Sequence, residues 1–174
     1  NFSANDSKTI KISSELSLDA KLTYYDGPFQ NQGPIPPKAD TETFYTITWR
    51  INNAVNALSN VSVTGHLPLY ARFLGTVSPQ TENVVFNQLG GIVIWNVGKV
   101  SALAGFAGPA REVSFQVAVL PNVTTIGTAP LVMSDIKAAG DDDFTGEKLS
   151  DQVNFLTTDL RSDIKAKFED GRVI

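Results

Sequence analysis

Residues 43–53, TFYTITWRINN, alternate between apolar and polar side chains over most of their length. The apolar members are Tyr45, Ile47, Trp49 and Ile51. The polar members are Thr46, Thr48 and Arg50. Successive side chains of a β-strand point to opposite faces of the sheet, whereas a helix with this pattern would spread its apolar residues around its surface. The stretch therefore predicts a half-buried strand, with its apolar members in a core and its polar members facing water.

The same period of two recurs along the chain between turn-forming residues. Val61 and Val63 alternate after an Asn-rich turn, and residues 113–119 place Val and Phe on one parity. The runs NVVFN and GIVIWNV are joined by QLGG, a hairpin signature because Gly readily takes a positive φ. No stretch keeps the helical period through three turns. The expected fold is an all-β sandwich of about eight or nine antiparallel strands in two sheets.

The length of 174 residues, with 42% hydrophobic residues, predicts a single domain with one core. We expect residues 1–7 to be a linker, residues 8–160 to form the sandwich, and residues 161–174 to be a C-terminal linker. The first strand is expected to be long and broken by a bulge near Ser13. Residues 27–40 are rich in Pro and Gly and predict a long connection over the surface.

Composition argues against several classes of function. The formal net charge of −4 and the scattered Lys and Arg residues argue against nucleic-acid binding, and no apolar run approaches the roughly 20 residues of a membrane span. Cysteine is absent and His66 is the only histidine, which excludes thiolate nucleophiles, zinc–thiolate sites and histidine clusters. His66 is interpreted as a surface residue at a strand end. An enzyme is therefore not expected.

Several motifs in order resemble the conserved extracellular repeat domain, a family of unknown function found in large surface proteins of bacteria and archaea. The resemblance covers residues 41–160. Its motifs are a Tyr-Thr-Ile-Thr strand at Tyr45–Thr48, the Asn52-Asn53 turn, a Val-rich strand ending in Leu-Pro at Val61–Pro68, and Trp-Asn-Val-Gly at Trp95–Gly98. The usual Asn-Thr-Gly turn of that family is replaced here by Asn-Asn-Ala.

The resemblance implies an immunoglobulin-like β-sandwich, repeated along an extracellular, cell-surface protein, and it implies no catalytic residues. The expected function is a non-enzymatic structural spacer whose partners are neighbouring domains of the same long chain, with other surface proteins or glycans as further partners. The alternative is an adhesin or carbohydrate-binding sandwich, involved in cell adhesion, that uses aromatic residues on loops. These are Tyr24, Tyr25, Phe29, Tyr70, Phe73 and Phe106.

No cofactor is expected, but the turn at residues 141–147 leaves calcium open as a minority alternative. Asp141, Asp143, Thr145 and Gly146 match the first, third, fifth and sixth positions of a calcium-binding loop. The twelfth position is Gln152 instead of the bidentate Glu that such loops use. An acidic turn between two strands explains the same residues.

Lys21 in the first strand and Asn154 in the last raise a second hypothesis, an intramolecular isopeptide crosslink. The reaction needs a neutral amine, a polarised amide and a buried carboxylic acid, and Glu42 or Asp135 is the candidate acid. The alternative is that Lys21 extends to solvent and Asn154 faces water.

Paired carboxylates raise the alternative of a glycosidase acid and base. Neighbouring acids on a strand or turn point in different directions, so solvated charges explain them better. The pairs are Asp142 with Asp143 and Glu15 with Asp19.

Four Asn residues match the N-glycosylation acceptor pattern. They are Asn1, Asn5, Asn60 and Asn122. Asn60 and Asn122 are predicted to lie in turns, where a glycan could be accommodated.

Overall fold

A computed structural model describes residues 10–174, so the predicted linker at residues 1–7 lies outside the described residues. Residues 10–174 form nine β-strands and one short 3₁₀ helix at Val123–Thr125. The strands are β1 Leu16–Thr23, β2 Thr43–Asn53, β3 Leu58–His66, β4 Ala71–Ser78, β5 Asn83–Asn87, β6 Ile92–Val100, β7 Arg111–Val119, β8 Leu131–Asp142 and β9 Lys148–Thr157.

The strands form two antiparallel sheets, which confirms the predicted immunoglobulin-like sandwich. Sheet A has the order β1-β2-β7-β4, and sheet B has the order β5-β6-β3-β8-β9. The register pairs Leu16 with Asn53 at one end, called the lower end, and Thr23 with Thr46 at the other, called the upper end. The edge strands β1 and β9 face each other on one open side of the sandwich, and β4 and β5 face each other on the opposite side.

The core lies between the two inner faces, where the alternating residues of β2 were expected. Tyr45, Ile47, Trp49 and Ile51 are all fully buried. Phe115 on β7 packs edge-to-face on Trp49, with ring centroids 4.8 Å apart. On β3 the same parity places Gly65 in the core, where a Cβ would approach the Met133 Sδ atom to 2.6 Å. The glycine therefore leaves the space that the Trp49 and Met133 side chains fill.

Thr46 differs from the expectation that the polar parity of β2 faces water. It lies on the outer face of sheet A but is fully buried, because the predicted Pro/Gly-rich loop folds over that face. Asn31 in this loop donates a side-chain hydrogen bond to the Thr46 hydroxyl at 3.0 Å. The connection between β1 and β2 thus adds a local third layer to sheet A.

The first strand is shorter than predicted. β1 begins at Leu16, and residues 10–15 precede it without strand structure. Ser14 is buried and directs its polar groups away from the sheet ladder: its N–H donates to a carboxylate on β8, and its hydroxyl oxygen accepts from the N–H of Val55. These alternative partners replace the pairing that a longer strand would have needed.

Residues 161–174 were expected to form a C-terminal linker. They instead pack against the upper end of the sandwich. Asp163 and Val173 are buried. The Val173 N–H donates to the carbonyl of Thr128, and the Ile174 N–H donates to the carbonyl of Pro37, both at 2.9 Å. Residues 158–174 are called the C-terminal segment below.

Candidate functional site

The most specific polar arrangement lies along the open side between β1 and β9. β1 is an edge strand, so one of its edges pairs with β2 and the other faces sheet B. Halfway along that second edge, the Leu18 N–H donates to a carboxylate oxygen of Asp151 on β9, at 2.8 Å. A strand-edge amide that would otherwise face water or another chain is thereby satisfied by a charged acceptor.

At the lower end, Asp142 accepts four hydrogen bonds from three parts of the chain. One carboxylate oxygen accepts from the Ser14 N–H at 2.7 Å and from the Asn56 side-chain amide at 3.0 Å. The other accepts from the N–H groups of Phe144 and Thr145 at 2.8 and 2.9 Å. Asp142 therefore connects the start of β1, the β2–β3 turn and the β8–β9 turn.

These donors determine the ionisation of Asp142. Burial by itself would raise the pKa of this carboxyl, but the donated hydrogen bonds from Asn56, Ser14, Thr145 and Phe144 outweigh burial. Because each donor favours the charged form, they hold the pKa of Asp142 well below its usual range.

At the upper end, Asp163 in the C-terminal segment occupies a cradle of backbone amides. One of its oxygens accepts from the N–H groups of Tyr24, Tyr25 and Asp26, at 2.8, 2.7 and 3.3 Å. Its other oxygen accepts from the Lys165 N–H at 3.1 Å. Successive N–H groups that converge on one point are a backbone anion-binding arrangement, here filled by a side chain of the same chain.

The Asp163 carboxyl is perturbed in the same direction as that of Asp142. Burial would raise its pKa, but the backbone donors at Tyr25, Tyr24, Lys165 and Asp26 outweigh burial and lower the pKa below its ordinary value. Asp142, Asp151 and Asp163 thus accept hydrogen bonds from N–H groups in and beside β1. We call these three carboxylates and their N–H donors the carboxylate seam.

Asn53 organises the lower end beside the carboxylate seam. Its side-chain amide donates to the carbonyls of Asn56 and Ser101, at 2.6 and 2.9 Å, and its side-chain oxygen bonds the Ser14 hydroxyl. The residue is fully buried. The Asn-Asn motif after the strongest strand was the sequence signal for this role, although it predicted only a turn.

The turn that resembled a calcium loop directs its carboxylates to different partners. Asp141 pairs with Lys148 at 2.8 Å and accepts from the Asn60 side chain at 2.9 Å, which lowers its pKa. Asp142 faces the interior, and Asp143 is exposed. Among residues 10–174, no group of three or more acidic, His or Cys residues is arranged to hold a metal ion.

Lys21 and Asn154 are not brought together. Lys21 is exposed on the outer face of sheet A, in a depression that Asp19 and Arg50 also line. Asn154 is exposed on the outer face of sheet B, next to Asp135.

The two candidate acids of the crosslink are also at the surface. Glu42 pairs with Arg72 at 3.0 Å, and Asp135 is exposed. The geometry therefore matches the alternative, in which Lys21 extends to solvent.

The loop aromatics do not form one platform. Four of the six are partly buried, namely Tyr24, Phe29, Tyr70 and Phe73. The Tyr70 hydroxyl donates to the Leu131 carbonyl at 2.9 Å, which holds its loop on the sandwich. Phe106 is 70% exposed at the lower end, whereas Tyr25 is 43% exposed at the upper end. These two candidate rings therefore cannot contact one small ligand together.

The remaining candidates lie apart from one another. His66 is exposed at the end of β3, and Glu15 and Asp19 are exposed along β1 or just before it. Asn60 is exposed at a bulge within β3, where a turn had been predicted, and has a φ of 52°.

Asn122 lies in a turn, where its side chain caps the 3₁₀ helix. Asn1 and Asn5 lie outside the described residues. In the part of the chain that the structure describes, no helix has the length and apolar character needed to cross a membrane.

Comparison with known proteins supports the fold class. No protein-family model and no curated protein matches this chain. Solved structures with a similar fold include a variant of BcpA, the major pilin subunit of Bacillus cereus, at 14% identity and a TM-score of 0.50, covering 82% of this chain and 40% of that one. The major pilin SpaD of Corynebacterium diphtheriae is similar at 12% identity and a TM-score of 0.49, covering 83% of this chain and 35% of that one.

A glycosidase is among the similar structures as well. It is an exo-β-N-acetylglucosaminidase of Vibrio harveyi, at 13% identity and a TM-score of 0.43, and the match covers 80% of this chain and 18% of that one. The chain thus spans less than half the length of each of these three proteins. Its class is an immunoglobulin-like β-sandwich, a fold that it shares with domains of bacterial pilins.

Proposed function

We propose that this chain is a non-enzymatic structural module, a spacer domain of an extracellular, cell-surface protein. The observation that carries the proposal is that the path of the chain runs from one end of the sandwich to the other. Residues 10–15 lie at the lower end, beside the turn that follows β8. Ile174 lies at the upper end, where it bonds Pro37 and Ala39.

This arrangement suits a domain that works in series with neighbouring domains of one long chain. A force applied to both termini acts along the long axis of the sandwich, so the domain adds its full length to an extended assembly. The likeness of the fold to a pilin domain and the resemblance to a repeat family of surface proteins support the same reading.

The alternative of an adhesin is not better supported, because Phe106 and Tyr25, the two exposed rings among the six candidates, lie at opposite ends. A binding platform needs several exposed rings on one surface. If the protein bound to glycans on an array and the Phe106→Ala variant did not, this result would nevertheless favour the adhesin.

Concatemers of one, two and three copies test the spacer by small-angle X-ray scattering. The 11-residue strand β2 alone spans roughly 35 Å at about 3.3 Å per residue, so each added copy should lengthen the molecule by at least that amount. Linear growth of the maximum dimension is the expected result. Growth that levels off with copy number would mean that the copies collapse on one another, and the proposal would be abandoned.

A further inference from the structure

We infer that the carboxylate seam is the mechanical clamp of this domain, the set of contacts that resists tension between its two termini. The inference rests on the proposed spacer function, because only a module loaded in series needs such a clamp. It assigns a role to Asp142, Asp151 and Asp163 that their burial and hydrogen bonds do not by themselves specify.

The direction of the strands determines how tension reaches the seam. β1 and β9 both run from the lower end to the upper end, since β1 is antiparallel to β2 and β9 is antiparallel to β8. Tension on residue 10 pulls β1 towards the lower end. Tension on residue 174 pulls the C-terminal segment, and β9 before it, towards the upper end. Tension therefore shears β1 past β9 and the C-terminal segment, along the side of the sandwich where β1 and β9 face each other.

The hydrogen bonds of the seam cross this sheared boundary at three heights. Asp142 holds Ser14, two residues before β1, Asp151 holds the middle of β1, and Asp163 holds the residues directly after β1. When two strands slide past each other, the hydrogen bonds between them bear the force together. When a strand is pulled away from one end, its hydrogen bonds break one after another. β1 is thus held on both edges, by the ladder with β2 and by the seam.

The chemistry of the seam favours resistance to sliding. Hydrogen bonds from N–H donors to carboxylates are shorter and roughly twice as strong as bonds between neutral groups. They are also directional, so a displacement of β1 by about 3.3 Å, the rise of one residue, removes each donor from its acceptor. Apolar contacts have no comparable dependence on angle.

The seam occupies the position where a covalent bond was considered. An isopeptide bond between the first and last strands would have fastened the same two elements, but Lys21 and Asn154 lie on opposite outer faces. Ionic hydrogen bonds from the backbone of one element to the side chains of the other provide a reversible connection in its place.

Single-molecule pulling between the first and last residues tests the clamp. Asp163→Asn, Asp151→Asn and Asp142→Asn keep the side-chain shape but remove the charge, and thermal unfolding verifies first that each variant is folded. We expect the unfolding rate at fixed force to rise in each single variant, and by about tenfold or more in the triple variant. Asp143→Asn is the matched control, since its side chain is exposed in the same turn and should leave the rate unchanged.

A second pulling geometry separates the clamp from general stability. The chain has no cysteine, so Leu69→Cys before β4 and Phe106→Cys after β6 can carry handles at exposed positions. Force between these points acts on β4, β5 and β6 without passing through β1, β9 or the C-terminal segment, and the triple variant should unfold there at the same force as the parent. An equal loss of force in both geometries, or no loss in either, would overturn the inference.

The outcomes distinguish this inference from the proposed function. Concatemers that extend linearly but show no effect of the seam variants would refute the clamp and leave the spacer in place. Compact concatemers would refute the spacer, whatever the variants do under force.

Discussion

The two open sides of the sandwich are closed by different chemistry. On the β1–β9 side, carboxylates accept backbone N–H groups across the gap between the sheets. On the β4–β5 side, the Phe73 ring packs against Phe86 and Phe115, with centroids 5.7 and 5.8 Å apart. Both sides bury apolar side chains, but three carboxylates cross the β1–β9 side to backbone N–H groups, whereas an aromatic cluster and the Glu82 carboxylate close the β4–β5 side.

The difference indicates that two kinds of stability are located in different places. Apolar burial contributes most of the free energy of folding and is non-directional. Charge-assisted hydrogen bonds contribute less net free energy but fix the register of the elements they join. Changes on the β4–β5 side should therefore reduce equilibrium stability most, and changes on the β1–β9 side should reduce resistance to shear most.

The largest equilibrium effect is expected for Phe73→Ala. The ring is partly buried and packs between Phe86 and Phe115, and its removal leaves a cavity on the β4–β5 side. We expect a loss of about 3 kcal/mol in the free energy of unfolding, measured by urea denaturation. Phe106→Ala removes an exposed loop ring and should change that free energy by less than about 0.5 kcal/mol. Equal losses for the two variants would contradict the assignment of apolar stability to this side.

A smaller loss is expected for Glu82→Ala on the same side. Glu82 accepts from the Trp95 indole N–H at 2.8 Å and from the Arg111 guanidinium at 2.7 Å, which joins sheet B to sheet A. Its removal leaves the buried indole N–H without this acceptor, at a cost of about 1–3 kcal/mol in urea denaturation. Glu42→Ala is the comparison, since the exposed ion pair of Glu42 with Arg72 should contribute no more than about 1 kcal/mol. A Glu82 variant no less stable than the Glu42 variant would show that this link contributes little.

The smallest equilibrium effect is expected for variants of the carboxylate seam. It is also the effect that should depend on pH, unlike that of changes on the β4–β5 side. Asp142 and Asp163 have pKa values below their unfolded values, so the unfolded chain binds more protons in acid. Their contribution to stability is complete above the unfolded pKa of about 3.9 and falls as the pH drops towards the folded pKa. The stability difference between the parent and Asp142→Asn/Asp163→Asn should therefore shrink between pH 7 and pH 3.

Phe73→Ala is the control for that measurement, because no ionisation accompanies the loss of a ring. Its penalty in urea should be similar at pH 7 and pH 3. If the seam variant instead kept its full penalty at pH 3, its carboxylates would not be what the Asn substitutions remove.

The sequence predicted the fold where side-chain pattern decides structure. The alternation of Tyr45, Ile47 and Trp49 identified a half-buried strand, and all three are in the core. The alternation gave the wrong prediction for Thr46. This outward-facing residue is buried by a loop that folds over it and is not part of the strand pairing. Pattern alone describes one strand and one face, and carries no information about what folds over it.

The carboxylate seam could not be predicted in the same way. Its acceptors are three ordinary aspartates, and its donors are backbone N–H groups, which every residue except Pro possesses. From the sequence alone, Asp142 was considered only as one of a pair of acids with Asp143, and Asp163 was placed in a linker. The signal lies in where the chain places Ser14, Leu18 and Tyr24, and that placement is a property of the whole fold.

Asp151 has a consequence for behaviour at high local concentration. An edge strand with unpaired amides can add a strand from another molecule, which leads to runaway association when many copies are crowded together. The carboxylate of Asp151 engages the amide at the middle of β1. An incoming backbone would have to displace a charged acceptor before it could pair there, so the edge is protected against self-assembly without the use of proline or a bulge.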